Sequence, residues 1–218
     1  MSISFIQLNE INFDIAKRYI NKGYKLDFIE KIISNSIDTY EDEEYKNLEP
    51  WIQWVTIFKG KLFKEHNIYR LGDGARISGN NLFSDIKNKL NISCGAIAPM
   101  NISSKNLEFD FFLPDPWSSE KVKGGFFLHL ISDAIKQGVN DNSGRGISFI
   151  NKMKLILGLI VVLDLNSIKK IFDFYLTIKN QNYRKALFLD LILVLVHQKL
   201  IKLYGTKFSS VFLNGGAH

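Results

Sequence analysis

Ile3–Glu10, ISFIQLNE, alternates side chains of high strand propensity and then stops at a polar pair, Asn9-Glu10. Period-two alternation over six residues is the signature of a β-strand. A second stretch at the other end of the chain, KFSSVFL at 207–213, has the same character and runs into Asn214, Gly215, Gly216, Ala217 and His218. Two more strand candidates lie between them, Ser93–Ala98 and Leu107–Leu113, stopped by Pro99 and Pro114. Helical patterning fills the remainder. Strand, helices, strand, strand, helices, strand is the order of an α/β protein, with a mostly parallel sheet and helices on both faces. In such sheets ligands sit beyond the carboxyl ends of the strands. Asn9-Glu10, Asp115 and Asn214 are therefore the first places to look for chemistry.

The helices can be read in outline. Asp14–Ile20 is helical, with Gly23 as a C-cap. Leu26–Ser34 places Leu26, Ile29, Ile32 and Ile33 on one face. EDEE at 41–44 reads as a solvated connection. The run from Pro50 to Phe58 is apolar all round, so its period does not separate strand from helix; Pro50 suits a helix's first turn, where its missing N–H costs nothing. Asn81–Leu90 is helical. The LGDG segment, Leu71–Gly74, is a turn without the flanking pattern of a phosphate loop. DNSGRG at 141–146 reads as a loop. Residues 147–204 form several helices, a helical insertion or cap. The expected division is residues 1–146 as an α/β portion, 147–205 as the helical unit and 206–218 as a returning strand.

The chain has 218 residues, 46% hydrophobic and 23% charged, which supplies a genuine core. The formal charge of +6 reads as a modest excess spread along the chain, without the dense basic run of a nucleic-acid binder. No nucleic-acid partner is expected. The one cysteine, Cys94, precludes an internal disulfide and reads as a small buried hydrophobe. The segment MSISFIQLNE does not read as a signal peptide. The most apolar window, Leu155–Leu165, falls well short of the roughly 20 residues of a membrane span. A cytoplasmic location is the resulting expectation.

Three segments together resemble the alkaline phosphatase-like superfamily, particularly its phosphodiesterase, nucleotide pyrophosphatase and sulfatase branch. FIQLNEINFDIA at 5–16 is similar to the family's opening strand, with Asn9-Glu10 in place of Asp-Gly and Phe13-Asp14 matching an aromatic-Asp pair. EPWIQWVTIFKGKLFKEHNI at 49–68 resembles the nucleophile helix: Trp54, Gly60, His66 and Ile68 fall on its landmarks, while Lys59 and Asn67 depart from them. NGGAH at 214–218 resembles an Asp-x-x-x-His metal motif, with Asn214 for the Asp and His218 matching the His.

The resemblance implies a hydrolase or transferase-type domain for phosphate or sulfate esters, including glycan esters, with surface polysaccharide metabolism as its context. It implies two divalent metals, zinc in particular, which would activate a nucleophile and neutralise charge on the transferring group. Glu10, Asn9, Asn214 and His218 become the metal-ligand candidates, with Glu10 the best carboxylate and Asn9 the closer positional match. Asp115 and Trp54 are the residues set toward substrate. The nucleophile position falls on Pro50, which cannot attack. Glu49 (as metal ligand, general base or acyl-type nucleophile) and Thr56 are the nearest substitutes. The remaining family ligands lie beyond His218, so the chain reads as truncated and catalytically incomplete, with unpaired sheet edges that favour self-association. The alternative is a non-catalytic scaffold that keeps the fold. For the other candidates the plainer readings are preferred: His66 as a structural histidine near a helix end, His129 as a satisfied core histidine, His197 as helical and structural, and Asp115 as part of a proline turn packed by Trp117.

Overall fold

In the computed structural model, the described residues are 2–37, 39, 48–76, 80–105, 107–140, 146–178 and 183–217, with the side chains of 75 and 76 excepted. Four parallel strands form one sheet: β1 (Ile3–Leu8), β2 (Cys94–Ile97), β3 (Phe111–Leu113) and β4 (Phe208–Leu213), in the spatial order β1-β4-β2-β3. The last strand is thus inserted between the first and second. Ile3 to Leu8 align with Phe208 to Leu213, and Cys94 to Ile97 with Phe208 to Val211. Each expected strand segment contains one observed strand. The third is shorter than 107–113, because β2 offers only four residues to pair with and Pro114 ends the run.

Helices α1 (Phe13–Asn21) and α2 (Asp27–Ser34) follow β1, and α3 (Pro50–Lys59), α4 (Phe63–His66) and α5 (Leu82–Leu90) precede β2. The ambiguous run after Pro50 is helix α3. Pro50 sits in its first turn, and Gly60 closes it at φ +59°, a left-handed conformation that glycine adopts without strain. Asn81 caps α5 by accepting from the amides of Phe83 and Ser84. Between β3 and β4 come α6 (Phe126–Asn140), α7 (Phe149–Val162), α8 (Leu165–Thr177) and α9 (Arg184–Tyr204). Helix α6 is absent from the sequence reading. Its FFLHLIS start is apolar on successive residues, which hides the helical period. EDEE, most of the 141–146 loop and His218 lie outside the described residues.

Successive strand residues point to opposite faces, and both faces are covered. On one side Phe58 and Phe83, stacked at 5.6 Å, meet Cys94, Ala96, Phe112 and Phe208, so α3 and α5 pack there. On the other, Ile97, Phe111, Leu113 and Val211 meet Leu128 and Ile131 of α6 and Ile192 and Val196 of α9. The helical stretch 147–205 is therefore partly sheet cover: α9 lies on the strands, α7 packs on α6, and α8 packs on α7 and α9. Among the described residues no helix is long and apolar enough to cross a membrane.

Candidate functional site

All four strands run the same way, so their carboxyl ends share one rim. Asn9 follows β1 and Asn214 follows β4, and the side chains meet there: Asn9 Nδ2 donates to Asn214 Oδ1 at 2.8 Å, across 205 residues of sequence. Helix α3 reaches the same point. Trp54 Nε1 donates to Asn9 Oδ1 at 3.4 Å, and the Trp54 ring is held edge-on to Phe212. Glu10 is exposed, takes φ +53°, and brings Oε1 to 3.5 Å from Asn9 Nδ2. Left-handed backbone at a glutamate carries strain, so the turn is held by its surroundings.

Those surroundings include Asp190, which sequence reasoning missed. It projects from α9 and accepts the backbone N–H groups of Asn214 at 3.0 Å and Gly215 at 2.7 Å. The glycines of NGGAH acquire a reason here. A Cβ on Gly215 would lie 2.6 Å from Asp190 Oδ2, and one on Gly216 would lie 2.5 Å from the Asn9 carbonyl oxygen. The turn after β4 is thus pressed between α9 and the turn after β1. The signal available in the sequence was a lone acid in the apolar helical run KALFLDLILVLV, a place where a carboxylate needs partners.

Asp115 ends β3 at the far side of the sheet and is only 1% exposed. It accepts from the amides of Asn101 at 3.2 Å and Trp117 at 3.1 Å. Burial pushes its carboxyl up to about 6, against the opposing pull of the amides of Asn101, Trp117 and Ser118 and of Lys136. Asn101, at φ +54°, gives its side-chain N–H to the carbonyls of Trp51 and Arg70 and accepts from Gly72 N. Asp115 and the LGDG turn are therefore parts of a second polar cluster, which anchors the start of α3 to the loop after β2. With 1% of its surface open, Asp115 presents no accessible face to a substrate.

The two catalytic candidates separate. Glu49 is the exposed residue just before α3, and its side chain makes no capping bond. Thr56 lies two residues beyond Trp54, about 200° around the helix, on the side away from the sheet. Its hydroxyl is 3.2 Å from His66 Nε2 and 3.4 Å from the Ile52 carbonyl oxygen. His66 also accepts from Ile68 N through Nδ1, so it braces the α3–α4 corner, and burial and Lys59 hold its pKa below the ordinary value. His197 is buried on α9 beside Phe111, and burial lowers its pKa to about 4. His129 is a correction: it is exposed on α6 rather than in the core, because Leu128 and Leu130 take the inward positions. Cys94 is buried, with its thiol pushed up to about 11.

The rim thus gathers Asn9, Glu10, Asn214 and Trp54, with Asp190 behind them, and leaves Glu49, Thr56 and Asp115 apart from them. His218, the remaining metal candidate, lies outside the described residues. No family model, no curated protein and no solved structure matches this chain.

Proposed function

We propose that this chain is an alkaline phosphatase-like α/β domain of hydrolase or transferase type, directed at phosphate or sulfate esters, whose described residues supply only part of a catalytic set. The observation that supports the reading is the Asn9–Asn214 hydrogen bond, which joins the two segments that resemble the family's metal motifs at the carboxyl rim of a parallel sheet.

The fit to zinc is poor in the described residues. At the rim they offer Glu10, an Asp190 carboxylate already committed to the backbone N–H groups of Asn214 and Gly215, and two amides bonded to each other, whereas zinc sites draw on imidazole, thiolate and carboxylate groups free to coordinate. Among the described residues no three His, Cys, Asp or Glu side chains are grouped to hold a metal ion. What these residues do is positional: Asp190 fixes the turn that carries Asn214, and Trp54 orients the Asn9 amide. The same mutual satisfaction of the amides favours a second reading, a domain that keeps the fold without the chemistry and acts as a scaffold.

The test is calorimetric titration of zinc and manganese into the parent and into Asn9→Asp/Asn214→Asp, alongside a phosphodiester hydrolysis assay. The expected result is weak binding and no turnover in the parent, with a clear gain of affinity in the double variant. Tight stoichiometric zinc and turnover in the parent would refute the claim of a partial set. No gain in the double variant would remove the metal rim and leave the scaffold.

A further inference from the structure

Helix α7 carries two apolar faces. Leu155, Gly158, Leu159 and Val162 turn inward, and Gly158 lies so close to α6 that a Cβ would meet Ile131 at 2.7 Å. Opposite them Phe149, Ile150, Met153, Ile156, Leu157 and Ile160 are about half exposed or more. Helical spacing gathers these six into one arc, with Lys152 on one flank and Lys154 on the other. Across the α7–α8 corner, where Asp164 and Asn166 are exposed, the apolar surface resumes at Leu165, Phe172, Tyr175 and Leu176, each more than half exposed. A wholly apolar groove of about 300 Å³ runs between them, lined by residues such as Leu155, Ile160, Ile168 and Phe188. An exposed apolar surface of this extent marks a binding face.

Charge identifies what it faces. The chain has 28 Lys and Arg against 22 Asp and Glu; the segment 149–204 holds nine of the former and three of the latter, which leaves nineteen of each elsewhere. The net charge of +6 is therefore concentrated in 149–204, which corrects the reading of an excess spread along the chain; on α7 and α8 themselves Lys152, Lys154, Lys169 and Lys170 stand against the exposed Asp164 and Asp173. Lys152, Lys169 and Lys170 are exposed beside the arc, and Lys154, paired with Asp133 at 2.7 Å, closes its other flank. Flanking lysines whose stems lie along apolar surface while their ammonium groups stay in water are the arrangement of a helix that lies in a lipid headgroup layer.

We propose that the α7–α8 face docks on an anionic phospholipid surface, with Met153, Ile156, Ile160 and Phe172 entering the headgroup–acyl boundary and Lys152, Lys169 and Lys170 meeting lipid phosphates. The docking is peripheral and independent of the rim described above. A second copy of the chain is the competing occupant of the same apolar face, but two copies would bring two net-positive surfaces together, whereas an anionic bilayer complements them.

The experiment is flotation of the full chain with phosphatidylcholine vesicles, with and without phosphatidylserine, at two salt concentrations, together with sedimentation velocity. Binding to the phosphatidylserine vesicles alone, weakened by salt, is expected. Lys169→Gln/Lys170→Gln, at exposed positions, is expected to weaken it by about 25-fold, since each basic group near an anionic surface strengthens binding about fivefold. Ile156→Asn/Ile160→Asn, checked for an unchanged circular dichroism spectrum, is expected to abolish it. Equal binding to both vesicle types, or binding indifferent to the lysine changes, overturns the proposal. So does absence of vesicle binding, whether the chain is then monomeric or forms a dimer that Ile156→Asn/Ile160→Asn dissolves.

Discussion

Replacing both rim amides with acids, Asn9→Asp/Asn214→Asp, tests whether the two ends of the chain truly meet. The parent side chains are 2.8 Å apart and Asn9 is 6% exposed, so the variant would press two carboxylates together in a poorly solvated place. At an effective dielectric of 20 and a charge separation of about 4 Å, the repulsion is about 4 kcal/mol. Asn214 is partly open to solvent, which reduces the figure to about 2 kcal/mol. For a chain of this size that lowers the melting temperature by about 4–8 °C. The pair relieves itself by keeping one proton, so one carboxyl has a raised pKa in the folded state. A raised folded pKa stabilises at low pH and the benefit is lost as pH rises through it. Differential scanning calorimetry should then show a deficit that is small at pH 4.5, larger at pH 8, and reduced by a divalent cation. The single change Asn9→Asp should cost less than the double change, because the Asn214 amide can rotate to present its N–H₂ while burial and Glu10 still oppose the new charge. A double variant as stable as the parent at pH 8 without metal would refute the juxtaposition.

Three further outcomes follow from the interior. His197, held near 4, binds its proton more readily unfolded, so its contribution is lost as pH falls from 6.5 through 4; Asp115, held near 6, acts oppositely, its contribution being full below 3.8 and lost as pH rises through 6. Each amounts to about 3 kcal/mol, so His197→Leu should gain about that much stability relative to the parent between pH 7 and pH 4 in denaturant titrations, and a constant difference would contradict it. Gly158→Val should cost about 1–3 kcal/mol by wedging α7 off Ile131 and the Phe127 carbonyl, and an unchanged denaturation midpoint would place that helix pair differently. Cys94 should resist a thiol reagent in the native protein and react on unfolding, since its thiol is buried and pushed up to about 11; rapid native labelling would count against the buried position.

What the sequence revealed and what it hid divide along local and non-local lines. The four strands were legible because short β-rich runs bounded by proline or by polar pairs are local signals, as in Ile3–Leu8 before Asn9-Glu10. Helix α3 was left open between strand and helix, since its apolar ring gives no period and Pro50 was the one hint of a first turn. Helix α6 was hidden for the same reason, and with it the exposure of His129. The rim was half legible. Asn9 and Asn214 were singled out, but their mutual bond depends on the strand order, which no local pattern encodes. Asp190 was passed over because its partners are backbone amides 24 and 25 residues away. Asp115 was read at a strand end, yet its burial and its bonds to the backbone N–H groups of Asn101 and Trp117 are tertiary facts that no local pattern encodes.

The strand order also explains why the two ends of the chain are interdependent. Among the described residues β1 pairs only with β4, and β4 fills the gap between β1 and β2. Until β4 docks, β1 has no partner in the sheet, Asn9 has no amide to bond, and Asp190 has no turn to hold. Long-range parallel pairings of this kind form late, because the loop-closure cost precedes the contacts that offset it. Helices α6 to α9 are the connection that delivers β4, and α6 and α9 carry much of the apolar surface on that side of the sheet. Rim geometry therefore depends on a core formed by the crossover helices. The outward face of α7, by contrast, contributes nothing to that core, since Ile156, Leu157 and Ile160 touch solvent while Leu155 and Leu159 do the packing. Apolar residues free of the demands of the fold, on the segment that carries the chain's entire charge excess, are where its physical chemistry points outward.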